Sequence, residues 1–232
     1  MVIAKYSSIQ EEKDISKIET LNKKSNSHNY KISKRFFDII FSITALILLS
    51  PIFLIISILI KLKSPEGNIF FTQERLGKDK KLFKIYKFRT MVMDAEEKLQ
   101  QLLNNNPELK TKFEQDFKLE NDPRIIKDIG TFLRKSSLDE LPQFFNSLIG
   151  DLSIVGPRPI VKDEIKKYGR HINKLYSIKP GITGLWQVKG RNSISYEDRV
   201  KLDMEYIDNQ SFFGDIKIIL LTIKVMILRE GI

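Results

Sequence analysis

The strongest constraint on this chain is an apolar run from Ile39 to Ile60 that contains no charged residue. As a helix rising 1.5 Å per residue it would extend roughly 33 Å, the thickness of a bilayer core. Its flanks are unusual. Lys31, Lys34 and Arg35 precede the run and Lys61 and Lys63 follow it, so the positive-inside rule marks both ends as cytoplasmic and assigns no direction. Ser50-Pro51 falls in the middle. Proline there removes a backbone hydrogen bond and kinks the helix, and serine can satisfy the freed carbonyl. A helix that enters one leaflet, bends at Ser50-Pro51 and returns reconciles both features; a straight transmembrane span is the alternative. A cleaved signal peptide does not fit, because the run starts too deep, is too long and lacks a small-residue cleavage site.

Around this segment the remaining chain is bounded by simple chemistry. The length of 232 residues suits one domain plus an anchor. Residues 1–30 are polar, mixed in charge and aperiodic, which reads as a flexible tail; 31–63 is the membrane segment and 64–232 the domain that follows. The chain has no cysteine, so disulfides are excluded, in keeping with a cytoplasm-facing protein. Its two histidines, His28 and His171, leave a zinc site almost without ligands. A net charge of +10 points to an anionic partner: nucleic acid, a membrane surface or phosphorylated small molecules. No glycine-rich loop ending in Gly-Lys-Ser/Thr is present, which argues against a P-loop NTPase.

The chemistry concentrates in Ser136 to Pro159. Ser137 with Glu140 three residues later matches a capping box, so the spacing predicts a helix from here to about Leu148, ended by Gly150. Asp139 would then lie in a first helical turn, where free N–H groups hold a carboxylate ionised and can receive a phosphate. Pro157-Arg158-Pro159 places a guanidinium on a stiff loop. Taken alone, these are also ordinary first-turn acids and a solvated arginine.

Two β-rich runs, Asn68–Gly77 and Leu82–Met91, flank the turn Gly77-Lys78-Asp79-Lys80 and predict a hairpin. Helices are expected at Asp94 to Asn105, from Pro107 to about Lys118, and from Ile129 to Lys135. Val161 to Arg170 reads as a charged helix. In Lys179-Pro180-Gly181-Ile182-Thr183-Gly184-Leu185-Trp186-Gln187-Val188, Gly181 and Gly184 would let backbone approach a ligand closely, with Trp186 either walling that ligand or lying in the core. Leu185 to Val188 looks extended, which argues against a KH-type RNA module, where the Gly-x-x-Gly loop opens a helix. Ser195 starts a further helix to about Asp208. A final apolar helix runs from Asp215 to about Arg229 with Lys217 and Lys224 on one face, suited to lying in a membrane interface or to core packing.

Ser-Leu-Asp-Glu-Leu-Pro-Gln at 137–143, followed by Gly-Asp-Leu-Ser-Ile-Val-Gly-Pro-Arg-Pro at 150–159, resembles the bacterial sugar transferase family of monotopic polyprenyl-phosphate phosphoglycosyl transferases. Lys87-Phe88-Arg89-Thr90-Met91, Asp122-Pro123-Arg124 and the Pro180–Val188 block resemble further motifs of that family, and the likeness covers roughly Lys34 to Gly231. The resemblance implies an α+β membrane-associated domain, mostly helical with a small β-hairpin, a re-entrant helix broken at Ser50-Pro51 and interfacial helices. It implies transfer of a sugar 1-phosphate from a UDP-sugar to polyprenyl phosphate with release of UMP, on the cytoplasmic face of a bacterial inner membrane, and no nucleic acid as partner. By the same resemblance Asp139 is the nucleophile forming an aspartyl sugar-phosphate and the protein ligand of Mg2+. Glu140 would orient the metal, assist a proton transfer or cap the helix. Arg158 would hold phosphate, Lys87 and Arg89 would suit phosphate or lipid head groups, and either Arg124 or Arg134 would meet phosphate oxygens. Gly184, Trp186, Gln187 and Arg191 would wall the nucleotide-sugar pocket. The rival from another class is a non-catalytic, membrane-tethered basic scaffold, which gives no reason for an Asp-Glu pair near a proline-caged arginine. An aspartyl phosphatase would show an Asp-x-Asp motif, which is missing. Neither the sugar nor the oligomeric state is encoded in any of these motifs.

Overall fold

The computed structural model describes residues 28–116, 119, 122–190 and 194–228; the tail expected at 1–30 falls almost wholly outside them. The class is α+β. The described residues form two compact units, a larger one within 28–46, 74–85 and 144–228 and a smaller one within 47–73 and 86–143.

The apolar run folds as two helices, α1 (His28–Leu48) and α2 (Ser50–Lys63), separated by the single residue Leu49 and bent by 58°. Pro51 cannot donate a backbone N–H, and the Ser50 hydroxyl donates to the Ile47 carbonyl at 2.8 Å, the substitution expected when a helix breaks in an apolar setting. Among the described residues no single helix is long and apolar enough to cross a membrane, whereas the bent pair passes that test together.

The hairpin forms as β1 (Phe70–Leu76) and β2 (Leu82–Phe88), and it runs from one unit into the other. At its tip Asp79 and Lys80 both take positive φ. The Gly77 N–H donates to the Lys81 carbonyl and the Asp79 N–H to the Tyr176 carbonyl, both at 2.8 Å.

In the smaller unit, α2 packs with the end of β2 and with α5 (Ile129–Ser136), preceded in the chain by α3 (Ala95–Asn105) and α4 (Pro107–Asp116). The core is Ile56, Ile60, Phe88, Ile126, Ile129 and Leu133. Phe88 closes it from the strand side, stacking on Phe70 at 5.3 Å and meeting Phe53 at 5.1 Å between ring centroids. On the outside of α2, Leu54, Ile55, Ile58 and Leu62 stay exposed, an apolar face with no protein partner among the described residues.

In the larger unit, α6 (Gln143–Ile149) leads into β3 (Ser153–Val155), which pairs in parallel with β4 (Gly181–Thr183), Ser153 opposite Gly181 and Val155 opposite Thr183. Between the strands lie the short helices α7 (Ile165–Tyr168) and α8 (Ile172–Leu175), and after them α9 (Leu185–Lys189), α10 (Tyr196–Asp208) and α11 (Phe212–Leu228). Ile154, Val155, Tyr168, Met204, Tyr206, Ile218 and Ile219 fill the core. Ser195 caps α10 by accepting the Asp198 N–H at 3.1 Å, as its spacing predicts.

Two expectations are corrected, and one element has no counterpart among them. No helix starts at Ser137: that residue closes α5 at φ 58°, and Leu138–Glu140 forms a separate 3-10 turn. Pro142 is the reason, since it has no N–H to return to the Leu138 carbonyl, which accepts the Leu141 N–H at 3.3 Å instead. Leu185 to Val188 is helical rather than extended, because Trp186 is turned into the core at 7% exposure and packing overrides local β preference. The parallel β3–β4 pair has no signature in the sequence pattern.

Candidate active site

The smaller unit gathers one tight charge cluster. Lys87, near the end of β2, donates to Glu140 Oε1 at 2.6 Å and stands 3.7 Å from Asp139 Oδ2. Both carboxylates sit on the 3-10 turn that follows α5, and Asp139 retains 9% exposure. Burial pushes Asp139 up to about 6; Lys87 opposes that shift, the Glu140 charge adds to it and Arg134 opposes it. The sequence pattern anticipates a carboxylate held low by a helix N-terminus, and the structure shows the reverse: there is no such terminus and desolvation dominates. At neutral pH the carboxylate is still mostly ionised, yet more basic than a solvated aspartate, which suits a nucleophile.

The other arginines of this unit are committed elsewhere. Arg89 donates to the Ser64 hydroxyl at 2.8 Å, the Ser64 carbonyl at 2.8 Å and the Asn68 carbonyl at 2.6 Å. It ties the end of α2 to the hairpin at 5% exposure. Arg124 forms a fork with Asp122, with contacts from 2.7 to 3.1 Å, and lies over the Phe113 ring. Between the two candidates left open by the sequence, the exposed Arg134 is the one whose charge acts on Asp139.

The larger unit holds Arg158, half-buried, on a loop pinned at both ends. The Gly156 N–H donates to the Thr183 carbonyl at 2.9 Å, the Gly181 N–H to the Pro157 carbonyl at 2.8 Å and the Leu76 N–H to the Ile160 carbonyl at 3.1 Å. A Cβ on Gly184 would lie 2.4 Å from the Gly156 carbonyl oxygen. Glycine there permits two chain segments to touch. Trp186 is stacked under the Arg199 guanidinium at 4.7 Å. Gln187 is half-buried, its Oε1 without a partner among the described residues. Arg191 lies outside the described residues.

The family described as bacterial sugar transferase matches residues 29–229. The chain is 48% identical over 85% of its length to the undecaprenyl-phosphate galactose phosphotransferase of Salmonella typhimurium, covering 41% of that protein. It is 39% identical over 83% of its length to the UDP-glucose:undecaprenyl-phosphate glucose-1-phosphate transferase of Escherichia coli, covering 40% of it. It is 42% identical to the exopolysaccharide production protein ExoY of Rhizobium meliloti, across 86% of this chain and 88% of that one. The chain thus spans about two fifths of the length of the longer relatives it matches and nearly the whole of the shorter one. With the match running through α1 to α11, the chain belongs to the bacterial sugar transferase family.

Proposed function

We propose that this chain transfers a sugar 1-phosphate from a UDP-sugar to polyprenyl phosphate at the cytoplasmic face of a bacterial inner membrane. The observation that carries the reading is the Lys87–Glu140–Asp139 cluster in a chain of this family. Asp139 attacks the β-phosphorus, an O–P bond forms, and the P–O bond to UMP breaks with its electron pair leaving on UMP. An oxygen of polyprenyl phosphate then attacks the aspartyl-bound phosphorus, and the Asp139 carboxylate is released unchanged. Lys87 holds Glu140 and offsets negative charge as the pyrophosphate approaches. In the smaller unit the exposed Arg134 offers its guanidinium to phosphate oxygens, while Arg89 and Arg124 brace that unit; Arg158, as in the family motif, would hold a phosphate of donor or acceptor. The names of the Salmonella and Escherichia relatives describe transfer of this kind.

Magnesium fits the donor set. No group of three or more metal-ligating side chains exists among the described residues, but Mg2+ needs only one or two carboxylates when substrate phosphates and waters complete its shell. Asp139, with Glu140 beside it, would hold the ion, which when bound screens the pyrophosphate charge. The 58° bend of the α1–α2 pair and the cations at both ends of the run support a re-entrant anchor placing the domain on one face. The apolar α11, with Phe213 and Leu220 exposed, would add contact at the interface.

The test is UMP release by nanodisc-held protein given undecaprenyl phosphate, Mg2+ and a panel of UDP-galactose, UDP-glucose and UDP-N-acetylhexosamines. One UMP per lipid-linked sugar phosphate is expected, with acid-stable labelling of the protein by donor alone lost in Asp139→Asn. Silence across the panel with lipid binding intact would leave the scaffold reading.

A further inference from the structure

Asp38 is a buried acid one residue before the uncharged run begins, at 3% exposure on α1. Its partners lie far along the chain. Oδ1 accepts both the Ser153 hydroxyl and the Ile154 N–H, each at 3.0 Å. β3 is only three residues long and has one strand neighbour, β4, to which Ser153 turns its N–H, donating to the Pro180 carbonyl at 2.8 Å. The Ile154 N–H, one residue on, faces the opposite edge, where no strand waits among the described residues. Asp38 is its acceptor. Nearby, Tyr206 Oη lies 3.0 Å from the Val155 carbonyl and 2.8 Å from Asp215, and Lys34 of α1 pairs with the same Asp215. β3 is therefore gripped by α1 on the edge its sheet leaves open.

The residues after β3 are Gly156-Pro157-Arg158-Pro159. Two prolines fix φ on either side of Arg158, and the Gly181 N–H holds the Pro157 carbonyl. Such a segment has few soft torsions with which to absorb a displacement of the strand that feeds it, so a shift at Ser153 or Ile154 travels to the guanidinium.

We propose that Asp38 is a positioning residue for phosphate transfer, setting from α1 the place of the Arg158 loop. The inference rests on Arg158 holding phosphate. It links the anchor helix to the anion-binding loop through two hydrogen bonds to one carboxylate oxygen.

A double-mutant cycle on the full chain in nanodiscs tests it, with UDP-galactose and UDP-glucose as donors, undecaprenyl phosphate as acceptor and UMP as readout. Asp38→Ala should lower kcat about tenfold or more, because misplacing a binding group by a fraction of an ångström is costly in rate. Asp38→Asn, whose amide oxygen can accept both bonds, should restore turnover to within about twofold. In an Arg158→Ala background Asp38→Ala should change nothing further. An Asp38→Ala loss that is additive with Arg158→Ala, or no loss at all, overturns the inference and leaves the Arg158 reading standing. Full activity of Arg158→Ala removes both. Should Asp38→Ala fail to fold, Ser153→Ala decides: a smaller loss, about two- to fivefold and absent in the Arg158→Ala background, supports the grip, and an additive or absent effect ends it.

Discussion

Two regions of the molecule bury an aspartate, and each raises its pKa, yet they do so for different ends. On the turn after α5, Asp139 is pushed up to about 6 by burial while Lys87 and Arg134 pull it back, and its carboxyl keeps an edge to solvent. Inside the larger unit, Asp203 is pushed up to about 7, again by burial first, with the Tyr168 hydroxyl donating to it at 2.8 Å and Arg199 opposing. Its exposure is 0%, and Oδ1 has no partner among the described residues. A raised pKa alone does not mark the reacting group. What separates the two is access: Asp139 keeps an edge to solvent beside Lys87, whereas Asp203, though Arg199 acts on it too, is closed off and bonded to a neutral phenol.

The sharpest way to break that contrast is to neutralise each acid in turn. Asp139→Asn should reduce UMP release by about 10³-fold or more while the protein still melts cooperatively, whereas Asp203→Asn should leave turnover within about twofold. Comparable losses from both would erase the distinction. Next in size, Lys87→Met should slow turnover about 10- to 100-fold, since the Asp139–Glu140 pair would face the substrate pyrophosphate without its cation; steady-state kinetics at saturating donor would show it.

The smallest effect is thermodynamic and belongs to Asp203. Its native pKa stands above the ordinary carboxylate value near 3.9, so between about pH 4 and pH 7 the native state binds more protons than the unfolded one. Stability contributed by this group is therefore highest below that window and declines as pH rises through it, then levels off. Thermal melts of Asp203→Asn should show a flatter pH profile than wild type, with a gain of a few degrees appearing only toward pH 8. A parallel offset at every pH would contradict it.

How far the sequence discloses this arrangement depends on length and locality. Leu99, Leu102 and Leu103 announce α3 by their spacing, the Ser195–Asp198 pair announces α10, and two β-rich runs announce the hairpin, because each signal lies within a dozen residues. β3 and β4 are three residues apiece and pair across an interval from Ser153 to Gly181, too short for a period and too distant for a turn signal. The Asp-Glu pair was visible as a pair, but its setting depended on Pro142, whose missing N–H splits one expected helix into a 3-10 turn and α6. Lys87 reads in the sequence as a basic strand end suited to phosphate or lipid head groups; its pairing with Glu140 follows only from the fold. Asp38 carries a signal of its own: a carboxylate at the rim of an apolar helix needs a partner, and Ser153 and Ile154 supply it.

The hairpin tip has a practical corollary. Exposed turns of this sort are the usual places to splice in a tag or a fluorophore-bearing peptide, but here both Asp79 and Lys80 adopt left-handed backbone and the Asp79 amide is spent on Tyr176. Cargo inserted between Lys78 and Lys81 would undo a tether to α8's neighbourhood rather than ride on a loose end.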